Sequence, residues 1–293
     1  MTRLRNAFDF LGLPALLCCL LAGPALAQPA AATTTTQPLY EIGLVGLGGS
    51  FPDYPAASQN HWKGIVAPYL IYRGDFLKAD ETGLRGRLLK SDRAELNISV
   101  GGALPASSND NHARHGMPDL DLMGEIGPTL RVKLARWAGR NRLDLDLPVR
   151  AVFTTDFTSV TYRGYLFQPA LTFQRFDMLK AGSVFSIEGG PVFADQRLSD
   201  YFYKVKDKYA EVGRPAYDAD PGYMGTRLES SFKLPLTDRL FAIAATQLGG
   251  FWGAANDDSP LFKSHFNLGA ALGLSYSFYR SNRQVAYEDR RMD

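Results

Sequence analysis

The stretch that decides the fold is Leu120–Ala135, "LDLMGEIGPTLRVKLA". Its even positions are Leu120, Leu122, Gly124, Ile126, Pro128, Leu130, Val132 and Leu134; its odd positions carry Asp121, Glu125, Thr129, Arg131 and Lys133. A period of two is the signature of a β-strand with one apolar and one polar face. Residues 141–155 repeat the pattern, with Leu143, Leu145, Leu147, Val149 and Phe153 on one face and Asp144, Asp146 and Arg150 on the other. The same alternation runs through 94–104, 165–174, 224–234 and 266–278.

These segments are ~10 to 16 residues long, whereas strands of soluble domains run nearer ~5 to 6. A tilted strand crossing a bilayer needs about 9–11 residues. In lipid every backbone group must be paired within the protein, so a spanning sheet has to close on itself. The reading is therefore an all-β protein, a transmembrane antiparallel β-barrel of the bacterial outer membrane. Eleven segments are visible, near 40–49, 62–73, 75–89, 93–104, 120–136, 141–155, 159–175, 183–194, 223–234, 239–253 and 265–278. Single-chain bacterial barrels have even strand counts. Splitting 75–89 at its Asp80-Glu81-Thr82-Gly83 interruption gives twelve, the favoured number; discarding one weak segment gives ten.

The ends agree with export. Residues 1–27 read as a signal peptide: Arg3 and Arg5, an apolar run from Leu11 to Gly23, and an Ala25-Leu26-Ala27 cleavage site. Both cysteines, Cys18 and Cys19, lie within it, so disulfides and cysteine-ligated metals are excluded from the mature chain. Residues 28–38, "QPAAATTTTQP", read as a disordered periplasmic arm, 39–278 as the barrel, and 279–293 as a charged periplasmic tail. A net charge of +2 gives no reason to expect nucleic acid as a partner.

The register carries the candidate lumen site. A turn centred near Gly139 places Arg131 opposite Asp146 and Lys133 opposite Asp144, with Arg150 in diagonal reach of Glu125. The expectation is a charge-paired lumen filled by side chains, joined by Glu188, Arg227, Glu229 and Lys233. Long connections at 105–119, 195–222 and 254–264 alternate with short ones, which puts the long ones outside and the short ones in the periplasm. The loop 195–222 carries Tyr201, Phe202, Tyr203, Tyr209 and Tyr217, an aromatic cluster suited to folding over the barrel mouth or to binding an external ligand.

Other motifs resolve to plainer readings. The glycines at 43, 46, 48 and 49 are followed by Pro52 and Pro55, which leaves no helix to aim N–H groups at a phosphate. His112 and His115 lie in a loop bounded by Pro105 and Pro118 and have no rigid frame for a metal. Ser264 and His265 are strand neighbours that face opposite ways, and no third group orients them or Ser259 for catalysis. Arg73-Gly74-Asp75 reads as a tight turn, and the Asn97-Ile98-Ser99 sequon as lumen polarity. No catalytic residue, metal or cofactor is expected.

Several stretches carry a further signal: "GLGGSFPDYPAAS" (47–58), "APYLIYRGDFL" (67–77), "SDYFYKVKDKYAEVGRPAYDA" (199–219), "LPLTDRLFAIAA" (234–245) and "AALGLSYSF" (270–278). With them the chain resembles the MipA/OmpV family of outer-membrane proteins over nearly the whole mature sequence. The resemblance implies a barrel without catalysis. It further implies a scaffold that joins a lytic transglycosylase to a bifunctional penicillin-binding protein on the periplasmic side. A narrow channel and a surface adhesin are the alternatives. Such barrels usually finish at the aromatic of their last strand, here Phe278, yet this chain continues through "YRSNRQVAYEDRRMD".

Overall fold

The computed structural model describes residues 35–287 apart from 74–76, 81–82, 92 and 138–140. The segment read as a signal peptide (1–27), residues 28–34, Gly74 and Asp75 of the Arg-Gly-Asp motif, and residues 288–293 lie outside the described residues. The strands are β1 (Thr35–Pro38), β2 (Tyr40–Pro52), β3 (Asn60–Arg73), β4 (Leu77–Asp80), β5 (Gly83–Lys90), β6 (Ala94–Ala103), β7 (Leu122–Trp137) and β8 (Asn141–Thr155). They continue with β9 (Val160–Phe167), β10 (Ala170–Phe176), β11 (Val184–Ala194), β12 (Gly222–Pro235), β13 (Leu240–Gly250), β14 (Phe266–Arg280) and β15 (Gln284–Tyr287). One helix, α1 (Gln196–Tyr203), lies between β11 and β12.

Thirteen of these segments form one antiparallel sheet, and β14 pairs with β2 to close it. The upper half of β8 pairs with β9 and its lower half with β10, while β11 meets both from the other side. β9 and β10 are thus two halves of one wall strand, bent at Gln168-Pro169, and the barrel has twelve strands among the described residues. The split of 75–89 falls where the charged interruption places it: β4 and β5 form a short hairpin across residues 81–82.

The burial pattern is inverted relative to a soluble protein. In β7, Glu125 and Thr129 are buried while Ile126, Leu130 and Leu134 are exposed. In β14, Leu268, Leu272, Leu274 and Tyr276 point out while Asn267, Ser275 and Ser277 point in. An outward apolar band around a polar interior is the surface of a barrel set in lipid. Aromatic pairs mark its rims: Tyr40 stacks on Tyr279 at 5.6 Å and Trp137 meets Phe173 at 6.3 Å near the end with short turns. Phe167, Phe193 and Tyr223 form a chain of ring contacts at the other end.

One correction concerns the chain ends. Thr35–Pro38, read from sequence as part of the arm, pairs antiparallel with Gln284–Tyr287 of the tail in a separate two-stranded ribbon. The ribbon continues the β2–β14 seam below the rim through Ser281 N–H to Tyr40 O (2.9 Å) and Leu39 N–H to Arg283 O (2.8 Å). Thr35–Pro38 and the tail opposite it have complementary backbone edges at the same place, and composition alone does not reveal that they meet.

The seam also explains a glycine. A Cβ on Gly49 would collide with the Ala270 carbonyl and lie 2.6 Å from the Ala271 Cα. The substitution Gly49→Val should therefore prevent β2 from meeting β14. The expected result is loss of the compact, heat-modifiable band in unboiled gel electrophoresis.

Candidate functional site

The lumen holds two layers. The lower one is a lattice of paired charges. Arg131 on β7 donates from Nε to Asp146 Oδ1 at 2.6 Å and from a terminal nitrogen to Oδ2 at 2.7 Å. Thr172 on β10 donates to the same carboxylate at 3.1 Å and to Glu188 at 3.4 Å. The Arg150 guanidinium lies 3.2 Å from Glu125 and 3.0 Å from the Ser99 hydroxyl. Gly101 makes room for this group, since a Cβ there would sit 2.8 Å from the Glu125 carboxylate. Lys133 and Asp144 are opposite one another in the register, but Lys133 Nζ lies 3.5 Å from Glu95, while Asp144 receives Arg136 at 2.5 Å. The bulge after Lys133 shifts Arg136 into reach of that carboxylate. Arg227 pairs with Glu229 at 3.6 Å, and Lys233 lies over the Phe241 ring at 4.3 Å. Buried charge tolerates this setting only when paired and hydrogen-bonded, and Asp146, Glu125 and Asp144 each have a guanidinium within hydrogen-bonding distance.

The upper layer is a lid built from the long outer connections. α1 starts at Asp195, whose carboxylate caps the Leu198 N–H at 2.9 Å. Its Leu198, Phe202 and Tyr203 are buried in one apolar cluster with Tyr54, Ala56, Phe251 and Phe262 from two other loops, and Tyr201 packs against it. Tyr209 and Tyr217 pack against a second, smaller cluster around Met117, Val205 and Leu261. Polar latches tie the loops together. Arg114 donates to the Phe202 carbonyl at 3.1 Å, to Pro118 O at 3.2 Å and to the Ser108 hydroxyl at 3.2 Å. Arg214 donates to Ala113 O at 3.1 Å and His115 O at 2.9 Å. Asn267, at the top of β14, accepts from Ala56 N–H at 2.9 Å and donates to Ala57 O at 2.6 Å. Tyr54 donates to Leu261 O at 2.7 Å; burial pushes its phenol up to about 12, so it remains a donor throughout the physiological range. Burial likewise raises Tyr203, whose hydroxyl donates to Pro55 O at 3.1 Å.

Gly164 makes the helix cap fit. It adopts φ +116°, and a Cβ there would collide with the Asp195 carboxylate. Gly164→Ala should cost about 1–3 kcal/mol from backbone strain, together with roughly 1 kcal/mol from the weakened cap. Hydrogen exchange over 196–203 should rise selectively.

The remaining sequence motifs serve structure. Ser264 donates to Phe266 O at 2.6 Å and Ser259 to Tyr203 O at 2.9 Å, while the His265 ring lies between Trp252 and Phe262. His115 Nδ1 faces Asn109 O at 3.3 Å, and no group of three potential metal ligands occurs among the described residues. The latching residues Arg114, Asn267 and Tyr54 escape a reading of the sequence because their partners are remote in the chain. A cavity of about 390 Å³ lies between lid and charge lattice. Leu47, Phe51, Ile65, Met123, Leu198 and Phe251 give it a mostly apolar lining, with Lys63, Glu125 and Arg227 among its charges.

Comparison with solved structures gives two likenesses. One is to a chain described as a bacterial polysaccharide outer membrane secretin, at TM-score 0.40 and 9% identity, covering 83% of this chain and 99% of that one. The other is to the NanC porin, at TM-score 0.37 and 8% identity, covering 80% of this chain and 100% of that one. Neither value supports a functional argument. Comparison with curated proteins finds no match. The sequence profile of a family described as "MltA-interacting protein MipA" matches residues 45–278, from the first wall strand to the last. By that match, which spans most of its length, the chain belongs to the MipA family.

Proposed function

We propose that this protein is a non-catalytic outer-membrane barrel that holds murein-acting enzymes at its periplasmic end. The observation that carries the reading is membership of a family described as interacting with MltA. A lytic transglycosylase is accordingly one partner, and a bifunctional penicillin-binding protein the second. The β1–β15 ribbon is the surface that fits such a role. Thr35–Gln37 and Val285–Tyr287 have only each other as strand partners among the described residues, so their outer edges offer backbone donors and acceptors for strand addition. The charge lattice below the cavity and the latched lid above it argue against a wide pore.

The test is a photo-reactive amino acid placed at exposed Gln284 or, as a control, at exposed Val212 on the outer side. Light should capture a murein hydrolase or synthase from Gln284 alone. Failure to capture one, together with steady single-channel conductance of the purified barrel, would replace the scaffold with a narrow channel. Loss of cell binding on deletion of 195–222 would instead favour the adhesin.

A further inference from the structure

The cavity between lid and lattice carries a charge that its walls do not match. Asp53, Asp121, Glu125 and Glu229 line it, against the cations Lys63 and Arg227. Three of these carboxylates are already served. Asp53 has His61 at 2.9 Å, Asn111 at 2.8 Å and Lys63 at 3.7 Å; Asp121 has Arg163 at 3.4 Å; Glu125 has Arg150 at 3.2 Å. Glu229 has only the Arg227 contact at 3.6 Å among the described residues. It also stands directly across the β11–β12 pair from Glu188. Glu188 accepts from the Thr172 hydroxyl at 3.4 Å and forms no ion pair among the described residues. Arg131 and Arg150 are committed to Asp146 and Glu125. Like charges directly opposite destabilise a strand pair, and a carboxylate held away from bulk water needs a partner. The Glu229 side chain is 46% exposed, and inside the barrel that exposure is to the cavity.

The same row of the sheet continues to Gln247, the partner of Glu229 on β13, whose side chain also lines the cavity. Glu188, Glu229 and Gln247 thus present acceptors from three neighbouring strands, each about 4.8 Å from the next. A primary ammonium has three donors and no acceptor, which matches such a row. Above the row the lining turns apolar. The Phe251 ring lies against Gly225 and Gly249, where a Cβ would come within 2.5 and 2.6 Å of it. Met224, Leu198 and Phe202 continue that surface up to α1. A volume of about 390 Å³ falls within the ~300–1,000 Å³ of small-molecule sites. We infer that the cavity binds an organic monocation, a primary ammonium on a compact apolar body. The ammonium sits on the Glu188–Glu229–Gln247 row, and the body rests beneath α1 among Leu198, Phe202, Met224 and Phe251. An anionic ligand would meet the surplus of carboxylates, and a neutral one would leave the Glu188–Glu229 pair uncompensated. This ligand site lies under the outer lid and is independent of the periplasmic docking reading.

The probe is 4-phenylbutylamine, titrated calorimetrically into the mature barrel in a non-ionic detergent, beside the neutral 4-phenylbutan-1-ol and the anionic 4-phenylbutanoate. Heats into protein-free micelles are subtracted. The expected result is one amine per barrel, bound at least tenfold more tightly than the alcohol, and no saturable binding of the carboxylate. Glu229→Gln keeps the side chain's shape and removes its charge. It should lower the amine to the alcohol's affinity and leave the alcohol unchanged, which shows that the cavity is intact. Glu188→Gln should weaken the amine in the same selective way, and the heat-modifiable band shows that each variant has folded. Equal affinities for amine and alcohol would overturn the proposal, because the cavity would then select for apolar bulk alone. So would absence of saturable amine binding, or amine binding indifferent to Glu229→Gln, which would place the amine elsewhere on the barrel.

Discussion

Asp146→Ala should destabilise the barrel by about 3–5 kcal/mol, the cost of removing one partner of a buried ion pair. Asp146 is 5% exposed and accepts both prongs of Arg131 in addition to the Thr172 hydroxyl. Its removal takes from the Arg131 guanidinium the carboxylate that accepts both of its prongs. The instructive comparison is the double variant Arg131→Met with Asp146→Leu. Replacing both partners by apolar groups of similar size is often neutral or stabilising, so the pair of changes should cost far less than the single one. Urea unfolding of vesicle-inserted protein measures both. A cost below roughly 1 kcal/mol for Asp146→Ala, typical of solvated pairs, would mean that water fills the lower lumen, and the channel would then become the stronger functional reading.

Arg114→Met should release the lid. Arg114 is 4% exposed, and its nitrogens satisfy the Phe202 and Pro118 carbonyls while its guanidinium lies 5.6 Å from the Tyr54 ring centre. The Phe202 carbonyl is left without a side-chain donor, at about 1–3 kcal/mol, whereas Pro118 O keeps the Ser108 hydroxyl at 2.6 Å. A local loss of about 3 kcal/mol corresponds to a rise of roughly a hundredfold in exchange from Gln196–Tyr203, at ~1.4 kcal/mol per tenfold. Exchange in β7 and β8 should not move. Lysine at 114 should rescue little, since one ammonium cannot reproduce a planar fork that reaches several acceptors. An unchanged exchange rate in α1 would show that the apolar cluster alone holds the lid shut.

The wall was legible because its signal is local and repeated. In β7 as far as the bulge after Lys133, and in β8 from Leu143 to Arg150, the alternation is regular and the charges fall on one face. The bend between β9 and β10 was hidden because Gln168-Pro169 keeps the alternation on either side. The lid was less visible. α1 has only eight residues, and its apolar positions Leu198 and Phe202 make a single helical repeat inside a stretch that otherwise reads as loop. Asp195, three residues before Leu198, is the one local signal that could have marked its start. Arg114 and Asn267 carry no such signal: each looks like an ordinary polar residue until the fold brings a distant carbonyl or amide to it.

The chain-end ribbon bears on how the protein forms. The seam joins Ser50 to Ala270, about three quarters of the chain apart. Bringing such distant segments together carries a large loop-closure entropy, and contacts of this span form slowly. Thr35–Pro38 and Gln284–Tyr287 lie at the foot of that seam, already in antiparallel register. Once they meet, the next residues to pair are Glu41 and Arg280, and each further step up the seam adds only a short loop. The ribbon can therefore act as a nucleus from which the cylinder zips shut: the long-range closure is met once, at the ribbon, and each seam pair after it is an encounter of near neighbours.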